Sequence, residues 1–382
     1  MKTLMRPLLI LTAFVMVLAA CKKEDSVTDS GTPNNPVDPL AALNLPATPY
    51  NYANQPLPTH ILAVGADNTP ANNPITDDGA TLGRVLFFDQ NLSINRTIAC
   101  ASCHQSDKAF SDPRIKSTGH AGGLTGRHSM SLVNARYYAN RRFFWDERAA
   151  TLEDQVLRPI QDTVEMGLTL DQLLARVREQ AYYPVLLTKA FGDTAVTSDR
   201  LSRALAQYVR SMVSYQSKYD IGRAQVAATG DPFPNFTMQE NMGKGIFNGP
   251  ATCATCHGTD AHIAPGPRSN GLDATTTDAG VGGSSAIPNQ LGQFKSPSLR
   301  NIALNAPYMH DGRFTTLEQV IEHYNSGVQD HPNLSPPLRT PGGTPIRLNL
   351  SVGQKAALLA FLHTLSDNSF ATDPKFQDPF VR

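Results

Sequence analysis

Two copies of Cys-x-x-Cys-His, CASCH at Cys100–His104 and CATCH at Cys253–His257, constrain this chain more than any other feature. Of its five cysteines four lie in these motifs and the fifth is Cys21, so none is left to form a structural disulfide. Two thiols at this spacing add to the vinyl groups of a haem, and the adjacent His reaches one axial face of the iron. A four-Cys zinc site would also use two Cys-x-x-Cys knuckles, but it would not need a His directly after each. A thioredoxin-like dithiol would use one motif beside a βαβ pattern, not two in helical surroundings. The motifs therefore predict two covalently bound haem c groups, held by Cys100, Cys103, Cys253 and Cys256, with His104 and His257 on the irons.

The flanking sequence predicts helices and long loops. Gly79–Asp89 reads as an amphipathic helix leading into the first motif. In SDRLSRALAQYVRSMVS, Leu201, Leu205, Val209 and Met212 fall on one stripe, and in SVGQKAALLAFLHTLSD Ser351 and Gln354 form a capping box. Pro and Gly break the pattern at Gly230–Phe236, which suggests a boundary near residues 220–237. A Gly/Thr/Ser/Pro-rich loop follows the second motif over roughly 258–298. No run alternates with period two. The expected fold is all-α, with two cytochrome c-like haem domains at 61–225 and 226–370 and a tail at 371–382.

A chain of 382 residues with zero formal net charge carries no sign of nucleic-acid binding. Lys2, Arg6 and the apolar run Leu8–Leu18 form a secretory signal, too short for a confident membrane span. It ends in LAAC, which resembles a bacterial lipobox and makes Cys21 a lipidation site after removal of residues 1–20. Residues 21–60, rich in Pro, Asn, Ser and Asp, read as a flexible tether. The expected location is the periplasmic side of a bacterial membrane, held by a lipid anchor, which agrees with haem attachment outside the cytoplasm.

YMHDGRFTTLEQVIEHY, Tyr308–Tyr324, offers four further metal ligands: Met309, His310, His323 and Tyr324. Thr315 and Glu318 form a capping box that starts a helix near Thr316. Leu317, Val320, Ile321 and Tyr324 share its apolar face, while His323 lies on the flank and is expected in solvent.

Three segments, in order, resemble the bacterial di-haem cytochrome c peroxidases and their MauG-type relatives: LGRVLFFDQNLSINRTIACASCH, FFWDERAATLEDQVLRPIQDTVEMG and FKSPSLRNIALNAPYMHDGRFTTLEQVIEHY. The likeness runs from about residue 70 to 367. It implies that His104 and His257 are proximal ligands and that Trp145, the only Trp, lies between the haems. It also implies that Gln155 and Glu165 stand over the peroxide-binding face of the first haem. In the family this Glu moves a proton between the peroxide oxygens, and a carboxylate whose pKa is raised toward neutral in an apolar pocket suits that task. His120 matches a distal His that blocks the first iron in part of the family; MauG-type proteins lack that ligation. His128 stands where the family often has Asn beside an inter-domain calcium, with carbonyls near Asn305 and Pro307 as further ligands. Imidazole there disfavours Ca²⁺. For the second iron the family ligand stands fourteen residues after the His matched by His310, which is Tyr324 here, as in MauG-type proteins, where other peroxidases have Met. Met309 is the alternative ligand. A phenolate favours Fe(III) and lowers the potential; a thioether does the reverse.

The resemblance implies an enzyme that reduces hydrogen peroxide at the first haem. Electrons would come through the second from a small donor such as cytochrome c or a cupredoxin, in a chain that forms a homodimer. A MauG-like oxidation of another substrate, such as a protein side chain, and electron transfer without catalysis are the alternatives.

Overall fold

Helix starts in this chain are written locally. Thr76, Thr151, Thr169, Thr197, Ser217, Thr237, Thr316 and Ser351 each sit in extended backbone and accept a hydrogen bond from the amide three residues on. The computed structural model describes residues 38–382, of which Pro39–Arg382 form one compact unit. The helices in order are α1 (Thr59–Leu62), α2 (Asp77–Phe88), α3 (Cys100–Cys103), α4 (Leu152–Gln161), α5 (Leu170–Arg178), α6 (Tyr182–Phe191) and α7 (Ser198–Ser211). They continue as α8 (Lys218–Arg223), α9 (Met238–Asn248), α10 (Ala254–His257), α11 (Gly280–Ser285), α12 (Leu317–Glu322) and α13 (Val352–His363). Among the described residues β-structure is limited to isolated bridges, so the fold is all-α as expected.

Two helix pairs carry the packing, and they are built alike. In the first, α2 crosses α7 at Gly83, where an added methyl carbon would lie 2.0 Å from the Ala204 carbonyl oxygen and 2.8 Å from Cβ of Tyr208. In the second, α9 crosses α13 at Gly243, where it would lie 1.9 Å from the Ala357 carbonyl oxygen and 2.9 Å from Cβ of Phe361. In each pair a Phe one turn on, Phe87 or Phe247, packs against that aromatic ring, at centroid distances of 5.4 and 5.1 Å. Each pair belongs to its own hydrophobic cluster, and each cluster takes in the first Cys of the neighbouring haem motif.

Two local expectations are corrected. From Pro39 onward the segment read as flexible tether is packed: Tyr52 is buried, and its hydroxyl donates to the Lys375 carbonyl at 2.8 Å. His60 is also buried, 2.8 Å from Asp220. The 371–382 tail closes on the same segment, with Phe376 in the first cluster and the Val381 amide on the Ala42 carbonyl. The cap of α12 is shifted by one residue, to Thr316 with Gln319. Lys2, Arg6, the Leu8–Leu18 run and Cys21 lie outside the described residues. No helix among the described residues is long and apolar enough to cross a membrane.

Candidate haem centres

Each motif is a single helical turn that ends with its His facing back to a carbonyl. His104 Nδ1 donates to the Phe110 carbonyl at 2.9 Å, and His257 Nδ1 donates to the His262 carbonyl at 3.1 Å. That bond fixes the tautomer, leaving Nε2 with the lone pair a metal needs. Burial holds both imidazoles below their ordinary pKa, which keeps them neutral for ligation. The four thiols are free, and burial pushes Cys100 and Cys253 up to about 12 and Cys103 up to about 11. Neutral imidazoles beside paired thiols are a donor set that fits haem c.

The second motif opens onto a large cavity. Cys253, Cys256 and His257 line it together with Tyr324, Met309 and an apolar wall that includes Phe247, Leu317, Ile321 and Leu358. Both remaining ligand candidates are therefore in place, on different footings. Met309, held at a φ of +74°, receives a hydrogen bond from Asn270 Nδ2 to its sulfur at 3.3 Å. Tyr324 sits in a π-helical turn, His323–Gly327, that continues α12, and burial pushes its phenol up to about 12. His323, expected in solvent, is buried instead, with Nε2 3.1 Å from the Asn270 carbonyl. The loop at Asn270 covers that flank of α12, a long-range contact that helical phase does not reveal. His310 is buried and stacks on Phe294 at 3.7 Å.

At the first motif the structure brings up Glu165. The turn after α4 is drawn in by Asp162, whose side chain accepts from the Glu165 amide at 3.1 Å, and by the Glu165 carbonyl, which accepts from the His120 amide at 3.0 Å. Its carboxylate is close enough to raise the pKa of both Cys100 and Cys103. Burial, reinforced by Asp162 and opposed by Arg148, raises Glu165 itself to about 7. Gln155 stands half-buried on α4, and its side-chain amide makes no hydrogen bond among the described residues. The His120 ring lies with Nε2 3.0 Å from the Thr163 carbonyl, part of a loop laid along residues 163–165.

Trp145 lies at the second site, where it lines the cavity of the second motif, and its Nε1 donates to the His128 carbonyl at 2.8 Å. The His128 ring reaches Ser111 Oγ at 3.2 Å, one residue beyond the carbonyl that holds His104. The turn bearing Trp145 contains positive φ at Arg141, Phe144 and Glu147, a concentration of strain of the kind found at functional sites. His128 also meets the Arg114 carbonyl at 3.1 Å through Nδ1, so both ring nitrogens are engaged. Asn305 Oδ1 is a buried acceptor without a partner, but one such oxygen beside an occupied imidazole is a poor set for a cation that takes six to eight oxygens.

A family model for di-haem cytochrome c peroxidases matches residues 77–225 and 246–333, which include both motifs and every candidate ligand and catalytic residue described above. The chain belongs to the di-haem cytochrome c peroxidase family. Among its relatives, the methylamine utilization protein MauG of Methylophilus methylotrophus is 32% identical over 82% of this chain and 88% of its own length. Cytochrome c551 peroxidase of Nitrosomonas europaea is 30% identical over 81% of this chain and 85% of its own. A solved MauG-like protein associated with microbial copper homeostasis superposes with a TM-score of 0.74 at 30% identity, over 85% of this chain and 99% of that one. The di-haem peroxidase BthA of Burkholderia thailandensis E264 shares the fold at a TM-score of 0.65 and 23% identity, over 80% of this chain and 91% of that one. This di-haem peroxidase thus has haem cofactors and an oxidoreductase activity toward peroxide.

Asn270 and Arg148 escaped the sequence reading. Asn270 lies in an aperiodic loop and acts on Met309 and His323 from 39 and 53 positions away, so no local pattern marks it.

Proposed function

We propose that peroxide is reduced at the His104 haem, attached through Cys100 and Cys103, with Glu165 as the proton carrier. The haem supplies the site where the oxygen–oxygen bond of peroxide is cleaved and electrons are accepted. Glu165 carries the proton: ionised, it takes one from the iron-side oxygen, and protonated, it returns it to the leaving oxygen, which departs as water. A pKa of about 7 suits both halves of that cycle, and this observation carries the assignment. Gln155, with an uncommitted amide, orients the peroxide. The contact of His120 with the Thr163 carbonyl supports an accessible first iron and a role for His120 in holding the loop over Glu165.

Cys253 and Cys256 would hold the second haem, which would supply the donor's electrons, with Trp145 lining the same cavity beside it. Tyr324 would hold the second iron together with His257; Asn270 meets both the Met309 sulfur and the Tyr324 side chain, so the choice rests on the family spacing from His310. A phenolate ligand lowers the potential and favours the MauG-like reading, in which the oxidising power of peroxide is spent on another substrate through Trp145. Export rests on the Leu8–Leu18 run and anchoring on Cys21. Holoprotein with two haems by pyridine haemochrome should consume peroxide while oxidising reduced cytochrome c or a cupredoxin. Peroxide consumed with neither donor oxidised would move the assignment to the MauG-like reading, and no consumption at all would refute both.

A further inference from the structure

Lys295 is only 4% exposed, and among the described residues no carboxylate forms an ion pair with it. Its Nζ meets the Met130 sulfur at 3.6 Å and the face of the Tyr138 ring at 4.3 Å. The carboxylate across Tyr138, Glu147, is already engaged: it accepts from the Tyr138 hydroxyl and, at 2.7 Å, from Asn140. Lys295 lines the cavity of the second motif next to Trp145, whose carbonyl accepts from the Lys295 amide at 2.8 Å. A second cation stands beside it. Arg268, bridged to Phe294 through paired backbone hydrogen bonds, lines the same cavity, and its Nη1 donates to the Pro267 carbonyl at 2.8 Å. A desolvated ammonium without an anion is costly, and this one faces a space built for a ligand.

We infer that Lys295, seconded by Arg268, is a carboxylate-binding site in the second haem cavity, and that its ligand is a carboxylate of the haem itself. This rests on the reading that haem fills the cavity at Cys253, Cys256 and His257. Those cysteines would hold the vinyl side of the cofactor, and Lys295 its acid side, next to Trp145. Burial holds the lysine down at about 8, so it is still mostly charged at neutral pH and an anion would relieve its desolvation.

The test uses full-length holoprotein at pH 7, as wild type, K295M and K295R, with haem counted by pyridine haemochrome. In K295M the midpoint potential of the second haem should fall, because loss of a nearby positive charge disfavours Fe(II), and K295R should stay near wild type. The resonance Raman bending band of the propionates, which responds to hydrogen bonding at the carboxylate, should shift in both variants. Added acetate should change neither reading; if it displaces the wild-type values, the site takes a free carboxylate and the assignment to haem is wrong. Two haems in K295M with potential and band both as in wild type would overturn the inference. If K295M fails to fold, an unshifted band in K295R does so. A wild-type protein with a single haem would instead refute the reading beneath it.

Discussion

Glu165 shows how one side chain acquires a function from its surroundings. An ordinary surface carboxylate is ionised at pH 7, but burial raises this one to about 7. A carboxyl raised on folding favours the native state fully below its unfolded pKa, and that contribution is lost as pH rises through the folded value. Ionised Glu165 is therefore a burden above pH 7. Glu165→Gln should melt no lower than wild type at pH 8, measured by thermal denaturation of the holoprotein. A clearly lower melting temperature would mean that the carboxylate is held for structure. Tyr324 poses the matching question at the second iron. Tyr324→Met should raise the midpoint potential of that haem, since a thioether stabilises Fe(II) where a phenolate stabilises Fe(III). An unchanged potential in redox titration would remove Tyr324 from the ligand set.

At the level of elements, the Gly–Ala crossings of α2 with α7 and of α9 with α13 bring the backbones too close for a side chain. Gly83→Ala or Gly243→Ala should each destabilise by about 1–3 kcal/mol through overpacking, read as a lower urea midpoint. Unchanged midpoints would show that the crossings can widen freely. Helices such as α7 and α13 were legible because their caps and apolar stripes are local. The haem motifs were legible because covalent chemistry dictates their spacing. The start of α12 was misplaced because Thr315–Glu318 and Thr316–Gln319 both satisfy the capping pattern, and only packing chooses between them. His323 was misplaced because the loop that covers it, through Asn270, is distant in sequence. Glu165 was found by resemblance alone. Nothing in its neighbours Val164 and Met166 foretells the burial that raises its pKa, reinforced by Asp162 and opposed by Arg148.

Across the whole molecule, a buried charge cluster ties the N-terminal segment to the second haem site. Arg300 Nη1 meets Asp220 Oδ2 at 2.6 Å, His60 meets Asp220 Oδ1 at 2.8 Å, and Arg300 also reaches the Asp260 carbonyl at 3.0 Å through Nε. Burial alone would raise Asp220, but Arg300 and His60 hold its carboxyl well below the usual range. A depressed carboxyl stabilises the fold above its unfolded pKa, and that contribution is lost as pH falls through the folded value. Arg300→Met leaves Asp220 buried without its guanidinium, held only by His60 and Ser217, and should cost about 3–5 kcal/mol at pH 7. The gap to wild type should narrow as pH falls below the ordinary carboxylate range, and a gap constant with pH would place the effect in packing. The same scale holds the central claim, that one haem site handles protons while the other handles electrons. Stopped-flow mixing of wild type and Glu165→Gln with hydrogen peroxide across pH 5.5–8.5, with reduction by the donor followed in the same samples, tests it most directly. The wild-type peroxide rate should rise through an apparent pKa near 7, where Glu165 ionises. The variant should lose about 10²–10⁴-fold together with that rise, and still accept electrons at the wild-type rate. A variant that keeps the wild-type peroxide rate and pH profile would contradict the account.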